Sequence, residues 1–349
     1  MGRISVMSLT CSARNVVPGV CVSFRRCYDF SFATTGKVRR YNHFIRMMKP
    51  VYTFDDLISR DVLDAGAEKP ARLAVIGFPV AHSASPQMHQ PALDACGIDA
   101  RYIRLEVEPG KIAEAFQKMR ALGFTGCNVT VPHKLDALEN CDEVDPAARA
   151  LGAVNTVRFD ADATRGFNTD GPGFANAIED EFGVPLASLK VAIAGAGGGA
   201  GQAIAAQCVR LGVAKLVLIN RTVEKLGPLV ERLREAGSKT EIIPLSFAEA
   251  SLASHCRACD LIVNTSSLGL KPGDPSVLTS ECLKPGHIVY DTIYQPSVTP
   301  LLALAMESGC RTANGLSMLL HQGVLAYRHW FPGSDPLPVM RAALAQRVS

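Results

Sequence analysis

The sequence predicts an α/β protein of two domains, each a parallel-rich sheet with helices packed against it. Three observations predict this class. At 349 residues the chain is long enough for two cores of ordinary size. From about residue 71 short β-rich runs alternate with longer helical patterns, which favours βαβ units over a sandwich. Midway, a glycine-rich loop stands between a buried apolar run and an Ala-rich helix and restarts the alternation.

In chain order the first series reads "LAVIGFPV" (strand), "SPQMHQPALDACG" (helix), "YIRLEVE" (strand), "GKIAEAFQKMRALG" (helix), "GCNVTVP" (strand) and "GAVNTVRF" (strand). It closes at "GFNTDGPGF", where two glycines and a proline after Asp170 suggest a hinge. The second series holds "LKVAIAGAGGGAGQAIAAQCVRLG" followed by the strands "KLVLINR", "DLIVNTSS" and "HIVYDTIY". The last segment, "GLSMLLHQGVLAYRHWF" and the helix after it, has helical period and no strand to pair with the second sheet, so it is expected to return to the first domain. The expected division is residues 1–70 as an extension, 71–170 as a first domain that binds substrate, 171–312 as a second domain, and 313–349 as helices packing back on the first.

Charge is unevenly spread. Residues 1–54 hold nine Lys/Arg and one acid, and the other 295 hold 27 Lys/Arg against 32 Asp/Glu. A slightly acidic body argues against nucleic acid as the main partner. No apolar run approaches the roughly 18 residues needed to cross a bilayer, so no membrane role is expected. Two readings of the basic start compete: a mis-called extension ahead of a natural start at Met47, or an organelle transit peptide within residues 1–46. The first implies a cytoplasmic protein. Eleven cysteines lie scattered, and Cys256-x-x-Cys259 has no second pair at metal-ligand spacing. Ordinary packing of thiols in a reducing compartment, without a metal, is the expectation.

The loop Gly195-x-Gly197-x-x-Ala200 has the context that a dinucleotide requires. Small residues permit a tight turn and let backbone N–H groups and a helix N-terminus approach a pyrophosphate, as in a Rossmann-type domain. After the next strand stand Asn220, Arg221 and Thr222, with Lys225 one turn on, where an NAD site usually carries an acid. A guanidinium there suits a 2′-phosphate, so NADP is the expected cofactor.

A nicotinamide implies hydride transfer, and an alkoxide made from a ketone must collect a proton from a nearby group. Lys134, directly after the strand and turn "NVTVPH", is the candidate, with Asp170 as the carboxylate that holds its ammonium in place. In "HSASP", Ser83 and Ser85 lie at i and i+2, so in an extended segment they can offer two hydroxyls to one anion. Singly, each also reads as a turn or N-cap residue before a helix starting near Pro86.

Taken together, "HSASP", "NVTVPHK", "GAVNT", "NTDG", "GAGGG", "NRT", "NTSSLG", "YDTIY" and "GLSMLLHQ" resemble the shikimate dehydrogenase family over nearly the whole span from about residue 71 to the C-terminus. The resemblance implies a reversible, NADP-dependent reduction of 3-dehydroshikimate to shikimate on the way to chorismate and the aromatic amino acids, by a monomer or homodimer. It implies that Lys134 is the catalytic lysine with Asp170 its acidic partner, and that Ser83 and Ser85 hold the substrate carboxylate. Thr130, Asn155 and Gln322 are implied as contacts of the ring hydroxyls and Tyr294 as the tyrosine at the cleft. Ala196, Gly197 and Gly198 are implied in the pyrophosphate loop, and Asn220, Arg221 and Thr222 in the adenosine-phosphate grip. The chain departs from the family pattern at Gly199, where many relatives have alanine, and at Lys225, where arginine is common.

Two rivals stay open at this level. One is a quinate/shikimate dehydrogenase using NAD, against which the serine pair and Arg221 argue. The other is a catalytically silent relative that senses a metabolite, although such a protein could lose Lys134 or Asp170 and both are present.

Overall fold

A computed structural model of the chain describes residues 48–236 and 239–348. Its first sheet contains β1 (Tyr52–Thr53), β2 (Ala71–Gly77), β3 (Arg101–Glu106), β4 (Gly126–Val129), β5 (Glu143–Val144), β6 (Thr156–Phe159) and β7 (Thr164–Phe167), in the order β1-β3-β2-β4-β6-β7-β5. The second contains β8 (Val191–Ala194), β9 (Lys215–Asn220), β10 (Glu241–Ser246), β11 (Leu261–Asn264), β12 (Ile288–Asp291) and β13 (Arg311–Asn314), in the order β10-β9-β8-β11-β12-β13. Counted from β8, that is the 3-2-1-4-5-6 order of a dinucleotide-binding sheet, and every neighbouring pair in it is parallel. The first sheet is mixed, because β6 runs antiparallel to both β4 and β7. The short "DADA" link between β6 and β7 leaves no room for the crossover that a parallel pair needs.

Helices of the first half are α1 (Arg60–Leu63), α2 (Ser85–Ala95), α3 (Ile112–Ala121), α4 (Lys134–Glu139) and α5 (Pro146–Leu151). Next come α6 (Asp170–Phe182), α7 (Gly199–Leu211), α8 (Gly227–Glu235), α9 (Leu252–Arg257), α10 (Pro300–Glu307), α11 (Leu316–Trp330) and α12 (Leu337–Val348). Strand β8, "VAIA", is buried on both faces, as a central strand between two helix layers must be. Helix α7 ends where Gly212 takes the left-handed conformation and donates its N–H to Val209 O, a role that costs glycine nothing sterically.

Helices α6 and α11 join the halves. Phe174, Ile178 and Phe182 of α6 and Met318 of α11 belong to the core under the second sheet. Leu320, Val324, Tyr327 and Trp330 of α11, with Met340 and Leu344 of α12, pack with α2 on the first sheet. Each fully buried large side chain of this kind stabilises the fold by about 2 kcal/mol. Trp330 also donates its indole N–H to Val157 O at 2.9 Å. The terminal helices thus return to the first sheet, as their period and the lack of a partner strand suggest.

Two expectations need correction. Part of the segment assigned to an extension, residues 1–70, is folded: Tyr52 and Thr53 pair with Leu105 and Glu106 at the sheet edge, and Tyr52 is buried. Two residues are too short a run for periodicity to reveal a strand. Residues 1–47, and with them the transit-peptide reading, lie outside the described residues. The glycines and proline after Asp170 do not make a hinge loop, since they form the first turn of α6. Proline is tolerated there because first-turn N–H groups have no partner within the helix. Gly173 is small for a packing reason: a Cβ on it would stand 2.7 Å from the backbone N of Gln322, so only glycine lets α11 come this close.

Candidate active site

Lys134 and Asp170 each open a helix, and the fold brings those two helix starts together. After β4 the chain turns through Val131 and Pro132. His133, fully buried, donates Nε2–H to Val107 O at 2.7 Å. Lys134 O accepts from Val154 N at 3.0 Å, tying the start of α4 to the residue before Asn155. These anchors aim Lys134 Nζ at Asp170 Oδ2, 2.6 Å away, with side chains 18% and 10% exposed. An acid at the start of α6 is favoured by the helix dipole.

Asp170 is locked from its other side. Asn155 Nδ2 donates to Asp170 Oδ1 at 2.8 Å and to Thr169 Oγ1 at 3.0 Å, while Asn155 Oδ1 accepts from Thr169 N at 2.8 Å. Behind Asn155 the network continues through Thr156 and Asn128 to Tyr102, whose hydroxyl donates to Asn128 Oδ1 at 2.7 Å. Burial drives the Tyr102 phenol well above its ordinary pKa, so it is a neutral donor throughout the physiological range.

Of these residues, Lys134, Asp170, Asn155 and Asn128 line a cavity of about 430 Å³. Ser83, Ser85, Thr130, Lys134, Asn155 and Asp170 contribute from the first half, Gln322 from α11, and Tyr294 and Ala200 from the second half. All eight sequence-nominated residues for substrate and chemistry therefore share one wall or another of the same cavity. Ser83 Oγ lies 3.2 Å from Ser85 Oγ, and Arg104 fixes the segment by donating Nε–H and Nη2–H to Ser83 O at 3.0 and 2.8 Å. Ser85 is the first residue of α2, and Ser83 Oγ accepts from Ser85 N at 3.3 Å, so the two hydroxyls are held together at the helix start on the cavity wall. Tyr294 follows β12, where Asp291 accepts from Asn264, Thr299 and Ile293 N, and burial raises its carboxyl above the usual range.

The dinucleotide loop adjoins this cavity. Gly195 has φ +84°, and a Cβ there would meet Ser266 N at 2.7 Å. A Cβ on Gly197 would come to 3.1 Å from Asn220 Nδ2, and one on Gly201 to 2.7 Å from Ala196 Cα. Gly198 caps α7, Gly199 begins it, and a Cβ on Gly199 would lie 4.0 Å from Lys134 Cδ. The loop is thus shaped for a close backbone approach beside the lysine, and its residues fit a pyrophosphate. Asn220 ends β9 and donates to Thr222 O at 2.9 Å, while Arg221 and Lys225 are exposed just beyond, outside the cavity.

Sequence reasoning passed over Thr169, Asn128 and Tyr102. Asn128 and Thr169 lie inside quoted motifs, and polar residues at buried strand ends were the available signal. Tyr102 carried none, because an aromatic at a strand position reads as core.

Comparison with known proteins agrees with this geometry. Residues 75–157 match the family model described as the shikimate dehydrogenase substrate binding domain, and residues 315–345 match the one described as the shikimate 5'-dehydrogenase C-terminal domain. The NADP(+) shikimate dehydrogenase of Moorella thermoacetica is 40% identical over 277 residues, covering 79% of this chain and 93% of that protein. Among solved structures, the shikimate 5-dehydrogenase of Thermus thermophilus in complex with NADP(H) and shikimate superposes with a TM-score of 0.70 at 34% identity, covering 79% of this chain and 99% of the other. The quinate dehydrogenase of Corynebacterium glutamicum in complex with NAD gives a TM-score of 0.72 at 30% identity, over 78% and 98%.

Proposed function

The chain belongs to the shikimate dehydrogenase family, and from that premise we infer that it catalyses the reversible NADPH-dependent reduction of 3-dehydroshikimate to shikimate, in the pathway to chorismate and the aromatic amino acids. The observation that carries the reading is the Lys134–Asp170 pair, 2.6 Å apart in a cavity that also has Ala200 of the dinucleotide loop in its wall. NADPH supplies the hydride. Ser83 and Ser85 hold the substrate carboxylate with two neutral donors, which allows release after reaction. Thr130, Asn155, Tyr294 and Gln322 meet the ring hydroxyls and set which carbon faces the cofactor.

As the carbonyl carbon is reduced, its oxygen gains charge and takes a proton from the Lys134 ammonium; in the reverse direction the amine takes it back. Asp170 orients the ammonium, and Asn155 orients Asp170. Gly195, Ala196, Gly197, Gly198 and Gly199 receive the pyrophosphate, while Asn220, Arg221, Thr222 and Lys225 take the adenosine 2′-phosphate. The reading extends to a cytoplasmic monomer or homodimer.

Cofactor reduction followed at about 340 nm, with shikimate and with quinate, each against NADP and NAD, tests the assignment. Turnover is expected with shikimate and NADP. The fold likeness to a quinate dehydrogenase keeps the broader reading in the test: comparable rates with quinate and NAD would replace the first reading with that one. No turnover from folded protein would remove both.

A further inference from the structure

A second groove, lined from α5, α6, α7 and α8, has a volume of about 890 Å³. It is distinct from the cavity around Lys134, and no residue lines both. Its floor is apolar, from Leu151 of α5, Ala206 of α7 and Leu233 of α8, together with Gly171 and Pro172, which directly follow Asp170. Arg210, Arg232 and Lys239 also line the groove. Arg210 donates to Gln207 Oε1 and Arg232 to Gln202 Oε1, both neutral, and no described carboxylate forms an ion pair with any of the three. The one acid in the lining, Asp145, is engaged by Ala147 N and Ala148 N as the cap of α5.

Cations at the last turns of α7 and α8 complement the helix dipoles, which accounts for their presence there. It does not account for their convergence with Lys239 on one apolar groove of ligand size, in a body where acids outnumber bases. We propose that this groove binds a small amphipathic anion, with an apolar or aromatic body on the α5–α7–α8 floor and a carboxylate or sulfonate at Arg210, Arg232 and Lys239.

The probe is 8-anilinonaphthalene-1-sulfonate, titrated by fluorescence into the full chain with saturating NADP+ and 3-dehydroshikimate, both already oxidised and so unable to react, which keeps the Lys134 cavity filled. Saturable one-to-one binding is expected. Its Kd should rise tenfold or more in the double variant Arg210→Glu/Lys239→Glu, and binding should be lost when Ala206→Trp fills the floor. Turnover with shikimate within twofold of the parent certifies that each variant is folded, since none of the three residues touches the Lys134 cavity. Non-saturable binding, or a Kd unmoved by the charge reversal, overturns the proposal. Should Ala206→Trp fail the turnover control, the charge reversal alone decides.

Discussion

Lys134 Nζ rests 2.6 Å from Asp170 Oδ2 although the residues are 36 positions apart and each is the first of its helix. An ammonium at a helix start opposes the local dipole, and a carboxylate at a helix start suits it, so the pair corrects at one point what either element alone would disfavour. Removal of the amine should strip the proton donor and leave the fold. Lys134→Ala is expected to lower kcat by about 100- to 10,000-fold with NADP affinity within a few-fold of the parent. Steady-state rates and a cofactor binding titration check this; unchanged kcat would take Lys134 out of the mechanism.

Asn155 holds the Asp170 carboxylate on the side away from Lys134. Without it the carboxylate can rotate and the ammonium loses its aim, a displacement of an ångström or so that costs on the order of 100-fold in rate. Asn155→Ala is therefore expected to lower kcat as well as raise KM for shikimate. A change in KM alone would make Asn155 only a substrate contact.

Arg221 follows β9 and is exposed, with no carboxylate beside it at ion-pair distance among the described residues. Arg221→Asp should replace an attraction for the 2′-phosphate by a repulsion, weakening NADP by about 100-fold or more while NAD changes little. Affinities for both cofactors, measured at one salt concentration, decide the matter; equal losses would mean that the residue does not read the phosphate.

Legibility followed the range of the interactions. The dinucleotide loop could be read because strand, glycines and helix are contiguous, and the switch point after β8 then follows from sheet topology. Ser83 and Ser85 were legible as an i, i+2 pair for the same reason. The lock on Asp170 was not, because Asn155, Thr169, Asn128 and Tyr102 meet only after five strands pair. The misread hinge has a similar cause: Gly171 and Gly173 look like loop residues until α7 and α11 are packed against them.

His89 of α2 makes the pH dependence of stability predictable. Its ring is fully buried, stacked on Tyr102 at 4.5 Å and 2° and tilted on Trp330 at 5.4 Å, and neither nitrogen has a hydrogen-bond partner. Burial without a partner pushes its pKa down to about 3 from 6.5. Below pH 6.5 the unfolded chain therefore binds a proton that the folded chain refuses until about pH 3, so stability is complete above 6.5 and is lost as pH falls through that window. Between pH 7 and 5 the loss from this one group is about 2 kcal/mol. His287 and His329 are also lowered by burial and add in the same direction, so the comparison needs a variant. Urea unfolding of the parent and of His89→Leu at both pH values should show the variant losing about 2 kcal/mol less, whatever its absolute stability. Equal losses would mean that His89 is protonated, or reached by water, in the folded state.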